Sequence, residues 1–309
     1  MTARSDTIIP PITGHTQVYA VLGHPIGHTL SPLMHNASFR RLGLDAVYLA
    51  FDVLPAKLAT VLPAMRDMGF RGVNLTVPLK EVACRILTVL DESAARLGAV
   101  NTVEFLPDGT MKGHNTDGRG FLMAIEEAFH QSLAGRSIFV LGTGGAGRAV
   151  AITAAMEGAS TLKLADIDSA RAHAVGEEIR RLAPRAAVEI LGSERRNWTQ
   201  ACSECEFVIQ ATPVGMKPED ESLLGPEAFR DGQCVFDLVY MFPETAFMRV
   251  ARNSGARTAN GLGMLLYQGA YAFTIWTGMQ ADIPAMRQAL EEAVYGSRKT
   301  APTKPGRMQ

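Results

Sequence analysis

A glycine-rich turn between a strand and a helix constrains the fold of this chain more than any other segment. Residues 142–147 read Gly-Thr-Gly-Gly-Ala-Gly, which matches the pattern G-x-G-x-x-G. The apolar run 137–141 precedes them and the helical pattern 146–157 follows. In a βαβ unit the first glycine permits the turn, the second lets a pyrophosphate approach the backbone, and the third allows close helix packing. The pattern therefore predicts a dinucleotide-binding Rossmann domain.

Strand and helix signals alternate along the whole chain of 309 residues, which predicts an α/β protein with two domains. The first, substrate-binding domain is predicted to comprise residues 1–117 and 261–309, with a mostly parallel sheet. The Rossmann domain is predicted over residues 118–260. Two smaller expectations belong to the first domain. Ser31 is predicted to cap a helix that has Pro32 as its first residue, and a hairpin around Pro107-Asp108-Gly109 is predicted at the sheet edge.

The amino-acid composition argues against some classes of binding partner. Lys and Arg number 30 and Asp and Glu number 31, so no charge excess attracts nucleic acid or an anionic membrane. The N-terminus has no apolar signal-peptide core, and the apolar stretch 264–277 is too short to span a bilayer. We expect a cytoplasmic protein, either monomer or homodimer. Cys202 and Cys205 form a C-x-x-C pair that we interpret as reduced thiols on a helix, since no further pair completes a zinc site.

Charged residues around the glycine-rich turn bear on the identity of the cofactor. Asp166 ends the next predicted strand, where a carboxylate accepts hydrogen bonds from the adenosine ribose of NAD and repels the 2′-phosphate of NADP. Arg171 follows it and could meet a phosphate, and Arg148 could contact the pyrophosphate. Asp166 could instead cap a helix, although Asp168 and Ser169 compete for that position. The sequence predicts NADP or NAD, and Asp166 favours NAD.

Four polar motifs lie beside apolar strands in the first half of the chain. They are the segments 23–32, 74–81, 98–102 and 113–118. Parallel-sheet enzymes collect their ligands outside the carboxyl ends of strands, so this arrangement predicts one hydroxyl-rich small-molecule ligand. The residues alone do not identify that ligand.

Eight motifs in order resemble the shikimate dehydrogenase family. Besides these four and the glycine-rich turn, they comprise the segments 211–216, 237–240 and 261–268. The resemblance implies a catalytic pair, Lys80 and Asp117. It implies substrate contacts at Thr29, Ser31, Asn74, Thr76, Asn101, Tyr240 and Gln268. The resemblance and the glycine-rich turn with its charged neighbours together predict the cofactor contacts. These are Gly142, Thr143, Gly144, Gly145, Ala146, Arg148, Asp166, Arg171, Thr212, Leu238 and Gly261.

The pair of Lys80 and Asp117 is chemically reasonable apart from the resemblance. Reduction of a carbonyl requires a proton donor as hydride arrives, and an ammonium can stabilise the alkoxide and donate its proton. A carboxylate beside it would orient the lysine. Taken singly, Lys80 is better explained as a surface lysine and Asp117 as a helix-capping aspartate. We predict no metal, because lysine can polarise the ketone and the histidines do not match a metal motif.

Two departures from the family pattern leave alternatives open. Thr29 stands where the family commonly has serine, and Asp166-Ile167-Asp168 stands where the family commonly has Asn-Arg-Thr. Gln210 also replaces a common asparagine. The leading hypothesis is reversible, NAD(P)H-dependent reduction of 3-dehydroshikimate to shikimate, as in aromatic amino acid biosynthesis through chorismate. The alternatives are an NAD-dependent quinate/shikimate dehydrogenase of quinate catabolism and a non-catalytic dinucleotide-binding sensor.

Overall fold

The computed structural model describes residues 11–296 and comprises two compact units, each built on a six-stranded sheet. The strands are β1 Gln17–Gly23, β2 Ala46–Asp52, β3 Gly72–Leu75, β4 Val89–Leu90, β5 Thr102–Phe105, β6 Met111–His114, β7 Ser137–Leu141, β8 Thr161–Ala165, β9 Ala187–Leu191, β10 Phe207–Gln210, β11 Cys234–Asp237 and β12 Arg257–Asn260. The helices are α1 Ser31–Arg41, α2 Leu58–Asp67, α3 Leu79–Ile86, α4 Glu92–Leu97, α5 Asp117–Phe129, α6 Gly145–Met156, α7 Ser169–Leu182, α8 Arg195–Glu204, α9 Ala246–Asn253, α10 Leu262–Thr277 and α11 Ile283–Tyr295.

The chain divides within three helices rather than in loops. The first unit contains residues up to Gly120 together with Leu266–Arg287, and the second contains Phe121–Leu265 together with the residues after Arg287. The divisions therefore fall inside α5, α10 and α11. The predicted α/β fold with two domains is confirmed, whereas the predicted domain boundaries at residues 117 and 260 remain predictions. The C-terminal part of α11 groups with the second unit, although we had assigned it to the first.

The sheet of the first unit has the order β2-β1-β3-β5-β6-β4. Only β5 runs against its neighbours, so the sheet is mostly parallel, as predicted. The central strand β3 is buried along its whole length, and Trp276 of α10 lies directly over Gly72. A Cβ at Gly72 would come within 2.2 Å of the indole nitrogen, which donates to the Val103 carbonyl at 3.0 Å. Glycine is therefore required where α10 packs on this sheet.

Two local predictions in this unit were wrong. Ser31 is the first residue of α1 and not its N-cap, because the position before it is Leu30 and the Thr29 hydroxyl accepts the Ser31 N–H. The hairpin of β5 and β6 forms as predicted but does not lie at the edge of the sheet. Strand β4 covers β6 on its outer side, and its two residues are too few to show any alternation in the sequence.

The sheet of the second unit is entirely parallel and has the order β12-β11-β10-β7-β8-β9. This is the strand order of a doubly wound dinucleotide-binding domain, whose order reverses between β7 and β10. The loops after these two strands contain Gly142 and Thr212, respectively. Ligands of such sheets bind outside the carboxyl ends of the strands at this reversal. The topology therefore places the glycine-rich turn at the expected position.

A buried carboxyl group links the two loops at the carboxyl ends of β10 and β11. Asp237 has no exposed surface and accepts hydrogen bonds from the Thr245 hydroxyl at 2.6 Å and the Val239 N–H at 3.0 Å. Gln210 donates to the same carboxyl at 3.2 Å and to the Val214 carbonyl at 2.8 Å. Burial raises the pKa of Asp237 to about 6, and the three hydrogen bonds offset this only in part. Ionised Asp237 therefore costs folding free energy.

We predict that Asp237→Asn will gain stability relative to the wild type as pH rises from 4 to 7. The carboxyl pKa is about 6 in the folded state and 3.8 in the unfolded chain, so the wild type loses stability as pH rises through this window. The relative gain should be on the order of 2 to 3 kcal/mol. Urea denaturation of both proteins at several pH values measures it. A difference that is independent of pH would contradict the raised pKa.

Asp220→Asn is the control with the opposite sign. Backbone N–H groups of Gly215 and Lys217 donate to Asp220 and lower its pKa. A lowered carboxyl pKa contributes stability at pH values above the unfolded pKa, and that stability is lost as pH falls. Asp220→Asn should therefore lose stability relative to the wild type as pH rises.

Candidate active site

Lys80 and Asp117 form an ion pair at the carboxyl ends of the strands in the first unit. Lys80 lies in the first turn of α3, which follows β3, and Asp117 is the first residue of α5, which follows β6. The Lys80 Nζ donates to Asp117 Oδ2 at 2.6 Å, and the two side chains are 29% and 11% exposed. A mostly buried carboxylate paired with a half-buried ammonium can deliver or accept a proton at a substrate oxygen. The structure thus brings together the two residues predicted as catalytic.

Asn101 holds the second oxygen of the Asp117 carboxylate. Its Nδ2 donates to Asp117 Oδ1 at 2.8 Å and to the Thr116 hydroxyl at 2.9 Å. Its Oδ1 accepts the Thr116 N–H at 2.8 Å, which orients the amide because a backbone N–H can only donate. Asn101 is 2% exposed. Asn101 is one of the predicted substrate contacts, and a substrate group that accepted from its Nδ2 would have to replace one of these acceptors.

Asn74 and Thr76, also predicted to contact substrate, lie on and directly after β3. The Asn74 Nδ2 donates to the Asn101 carbonyl and to the Thr102 hydroxyl, both at 3.0 Å. Both amide protons are thus used, and Asn74 can only accept a further hydrogen bond from a ligand. Thr76 is half-buried, and its methyl group lies so close to Gly23 that a Cβ there would be 2.5 Å from it.

Thr29 and Ser31 present adjacent hydroxyl groups at the start of α1. Their oxygens are 3.3 Å apart, and the Ser31 side chain also forms a hydrogen bond with Tyr48. Two neighbouring hydroxyl donors suit the two oxygens of a carboxylate. The predicted carboxylate contact is therefore consistent with this geometry.

The remaining two predicted substrate contacts lie in different units. Gln268 belongs to α10 of the first unit, and its backbone nitrogen would be 2.7 Å from a Cβ at Gly120 of α5. Tyr240 follows β11 in the second unit, where it is half-buried. Burial raises the pKa of the Tyr240 phenol, so it remains protonated and able to donate.

The glycine-rich turn has the shape required to hold a pyrophosphate. Gly142 has φ +95°, which favours glycine, and a Cβ on Gly147 would be 1.9 Å from the Gly142 carbonyl oxygen. By contrast, apart from adjacent residues and the helix's own backbone, no atom of the described chain lies within 4 Å of a Cβ built on Gly144 or Gly145. Gly144 is the N-cap position of α6 and provides no side-chain cap. Open space before an uncapped helix N-terminus fits an anionic phosphate group.

Arg148, which was predicted to contact the pyrophosphate, forms an ion pair with α7. Its guanidinium donates to both carboxylate oxygens of Glu178 in α7, at 2.8 Å and 2.5 Å. Such a paired geometry is among the strongest side-chain interactions. A phosphate would have to share Arg148 with Glu178. The neighbouring predicted contacts Thr143 and Ala146 remain part of the turn and of the first helical turn, respectively.

Asp166 supports the glycine-rich turn directly. Its Oδ2 accepts the Thr143 N–H at 2.7 Å and the Thr143 hydroxyl at 2.8 Å, and its Oδ1 accepts the Asp168 N–H at 2.9 Å. Burial alone would raise the Asp166 pKa, but these hydrogen bonds and the charge of Arg171 together lower it. Arg171 is 3.9 Å from Asp166 and 3.2 Å from Asp168. Asp168, whose side chain accepts the Arg171 N–H, is the N-cap of α7.

Thr212, Leu238 and Gly261 are three further predicted cofactor contacts. They lie in or beside the loops that Asp237 supports. The Thr212 N–H donates to Gln210 Oε1 at 2.5 Å, and the Leu238 N–H donates to the Gln210 carbonyl at 2.8 Å. A Cβ on Gly261 would be 2.1 Å from the Leu238 carbonyl oxygen. These loops are therefore tightly packed beside the carboxyl ends of β10 and β11.

Sequence reasoning missed Tyr48, Thr102 and Thr116. All three are buried and make side-chain hydrogen bonds to the residues above. Tyr48 and Thr102 lie within strands, where tyrosine and threonine are common for reasons of packing alone. The sequence could have indicated them only through their position beside predicted site residues. Thr102, for example, directly follows Asn101.

Cysteines and histidines do not form a second site within residues 11–296. The four cysteines form no disulfide, and no group of three potential metal ligands occurs in this part of the chain. Cys202 lies on α8, as predicted, and Cys205 directly follows that helix. His114 lies between the carboxylates of Asp91 and Glu104 at 3.1 Å each. In the same described range, no helix is long and apolar enough to cross a membrane.

Comparison with known proteins identifies the family. Residues 21–103 match the model described as shikimate dehydrogenase substrate binding domain, and residues 261–291 match the shikimate 5'-dehydrogenase C-terminal domain. The shikimate dehydrogenase (NADP(+)) of Moorella thermoacetica is 45% identical over 93% of this chain and 96% of its own length.

Two solved structures are similar throughout. Shikimate 5-dehydrogenase from Listeria monocytogenes, in complex with shikimate and NAD, has a TM-score of 0.85 at 36% identity, covering 92% of this chain and 100% of its own. Quinate dehydrogenase from Corynebacterium glutamicum, in complex with NAD, has a TM-score of 0.82 at 32% identity, covering 89% and 98%. With the fold, the ion pair and the glycine-rich turn in the expected places, the chain belongs to the shikimate dehydrogenase family.

Proposed function

We propose that this protein catalyses the reversible NAD(P)-dependent interconversion of 3-dehydroshikimate and shikimate. The observation that carries the proposal is the 2.6 Å contact between Lys80 Nζ and Asp117 Oδ2. It lies in the same unit as the hydroxyl pair of Thr29 and Ser31, so a group for proton transfer and a group for carboxylate binding occur on one scaffold. The Moorella relative bears the corresponding name.

Lys80 is the proposed acid in the reduction and the base in the reverse reaction. When bound, the nicotinamide supplies or takes up the hydride. Lys80 Nζ donates a proton to the oxygen that gains negative charge as the ketone is reduced, and it accepts that proton when the alcohol is oxidised. Asp117 keeps the ammonium in place through Oδ2, while Asn101 holds Oδ1. Asp117 therefore cannot turn away without losing a charge-assisted hydrogen bond.

The second unit is proposed to bind the dinucleotide. Residues Gly142 to Gly147 would hold the pyrophosphate, because the turn is open at Gly144 and Gly145 and uncapped at the N-terminus of α6. Leu238 and Gly261 would lie beside the nicotinamide. These assignments rest on the shape of the turn and on the resemblance of the motifs.

The identity of the dinucleotide depends on Asp166. Its carboxylate already orders the turn and retains capacity to accept a ribose hydroxyl, whereas a 2′-phosphate would face its negative charge. Arg171 is shared between Asp166 and Asp168 and would have to leave both to neutralise a phosphate. We therefore propose a preference for NAD, although several relatives carry NADP(+) in their names.

Oxidation of quinate is the second candidate activity. Thr29 brings a methyl group beside the hydroxyls that would receive the carboxylate, and the similar Corynebacterium enzyme is a quinate dehydrogenase. Quinate and shikimate differ in the ring beside the carboxylate, so this methyl group is placed to influence the choice.

Steady-state rates on shikimate and quinate with each cofactor test the proposal. We expect shikimate to have the higher kcat/KM, and we expect Lys80→Met to reduce kcat by about 10² to 10⁴. Cofactor affinity should change little in this variant, whereas thermal stability should fall, because Asp117 loses its counter-charge. Lys57→Met, at an exposed position, is the matched control and should retain wild-type rates. Higher kcat/KM for quinate would favour the second candidate, and full activity of Lys80→Met would exclude Lys80 as the proton donor.

For the cofactor, we predict that Asp166→Asn will raise the ratio of kcat/KM for NADP⁺ to that for NAD⁺ by about tenfold. The substitution removes one negative charge beside the expected 2′-phosphate, and tenfold corresponds to about 1.4 kcal/mol. The ratio is used because the variant also weakens the contacts of residue 166 with Thr143 and Asp168. This should lower kcat/KM with both cofactors.

Asp168→Asn is the control for this prediction. It removes the same charge two residues away, at a half-exposed helix cap whose carboxylate does not contact the glycine-rich turn. Its cofactor ratio should rise by less than that of Asp166→Asn, because it frees Arg171 from one carboxylate but leaves Asp166 charged. An equal change in both variants would mean that local charge in general, and not Asp166, sets the preference.

A further inference from the structure

A chain of side-chain hydrogen bonds connects Tyr48 to the catalytic ion pair. The Tyr48 hydroxyl contacts Asn74 Oδ1 at 2.6 Å, and Asn74 Nδ2 contacts the Thr102 hydroxyl at 3.0 Å. The Thr102 hydroxyl contacts Asn101 Oδ1 at 2.9 Å, and Asn101 Nδ2 contacts Asp117 Oδ1 at 2.8 Å. All of these residues are buried and belong to the first unit.

Backbone groups determine the direction of every hydrogen bond in this chain. Asn74 Nδ2 faces the Asn101 carbonyl, which can only accept, so Asn74 Oδ1 faces Tyr48 and Tyr48 must donate. Asn101 Oδ1 faces the Thr116 N–H, which can only donate, so Asn101 Nδ2 faces Asp117. Each donor therefore points towards the Asp117 carboxylate. Because Tyr48 donates to Asn74, the Ser31 hydroxyl that bonds Tyr48 must donate to it.

His35 provides a rigid platform for the Tyr48 ring. The two rings are stacked with centroids 4.2 Å apart and an interplanar angle of 3°. His35 has no exposed surface, and neither ring nitrogen has a hydrogen-bond partner among residues 11–296. Burial lowers the pKa of His35 to about 3, so the ring is neutral at neutral pH and packs as a flat apolar group. The stack restricts the rotation of the Tyr48 ring and thus the direction of its hydroxyl.

We propose that Tyr48, held by its stack on His35, is a positioning residue that orders Asn74 and, through the hydrogen-bonded chain, Asn101 and Asp117 for substrate binding. This inference rests on the proposed function, because Asn74 and Asp117 are taken to contact the substrate. Tyr48 itself does not touch the reacting atoms in this scheme. Its loss leaves the Asn74 oxygen without its donor, and the polar groups of the pocket then become ordered only when the substrate binds.

Tyr48→Phe tests the proposal, and Tyr19→Phe is a closely matched control. Tyr19 is the direct neighbour of Tyr48 in the β1–β2 pairing and is equally buried. Its hydroxyl donates to Gln17 instead, at 3.1 Å, outside the chain. Both variants lose one phenolic hydroxyl and keep the aromatic ring. Any general effect of that change on the sheet should therefore appear in both.

We expect Tyr48→Phe to raise the KM for shikimate about tenfold, as the loss of one buried hydrogen bond implies. The shikimate dissociation constant from calorimetry should rise by a similar factor. The KM for the cofactor should not change, and kcat should fall by less than the KM rises. Tyr19→Phe should match the wild type in all four quantities. This split between substrate and cofactor would not follow from a merely structural role.

His35→Leu provides a second measurement should Tyr48→Phe fold poorly. It removes the flat platform without removing a hydrogen bond and should raise the KM for shikimate about two- to fivefold by the same argument. Unchanged shikimate affinity in a folded Tyr48→Phe protein, or an equal loss in Tyr19→Phe, would overturn the positioning role alone. A wild type that neither binds nor oxidises shikimate would overturn the proposed function and this inference with it.

Discussion

A carboxylate removed from water needs both a counter-charge and hydrogen-bond donors, and much of the first unit is arranged to meet this need at Asp117. Lys80 provides the charge at one oxygen, and Asn101 donates to the other. The two partners come from different segments, α3 and the residue before β5. The parallel sheet brings these segments to one end, so the ion pair can exist only in the folded unit.

The second unit depends on a steric requirement instead. The contact between Gly147 and the Gly142 carbonyl leaves no room for a side chain, and it brings the first turn of α6 onto the end of β7. Asp166 then orders the turn by accepting both donors of Thr143. One carboxylate thus has two roles, in the shape of the turn and in the proposed choice of dinucleotide.

Much of this fold could be predicted from sequence, and the failures have physical causes. The strand at 137–141 was predicted with its observed bounds, because it is a short apolar run that ends at a glycine-rich turn. Strand β9 lies at an edge and buries only Leu191 fully, and β4 has only two residues, so neither gives a strong sequence signal.

The site shows the same limit. The spacing of the glycines was enough to identify the dinucleotide-binding turn without any resemblance to a family. Lys80 and Asp117 are 37 residues apart and were paired only through the resemblance. The engagement of Arg148 by Glu178 could not be foreseen, because the helix packing that brings α6 and α7 together is not a local property. Tyr48 left no signal, since its polar atom is hidden inside an apolar strand.

The uniform direction of the Tyr48 chain has a consequence for how this pocket can change by mutation. The backbone carbonyl of Asn101 fixes the orientation of the Asn74 amide. This orientation determines that of the Thr102 hydroxyl and the Asn101 amide, which donates to the Asp117 carboxylate. An isosteric replacement such as aspartate for Asn101 would set two acceptors against each other, even though its volume is unchanged. Single substitutions in the chain therefore depend on their neighbours, and a viable alternative polarity would require several coordinated changes at once. The interior of this pocket is consequently constrained in sequence by polarity more than by size.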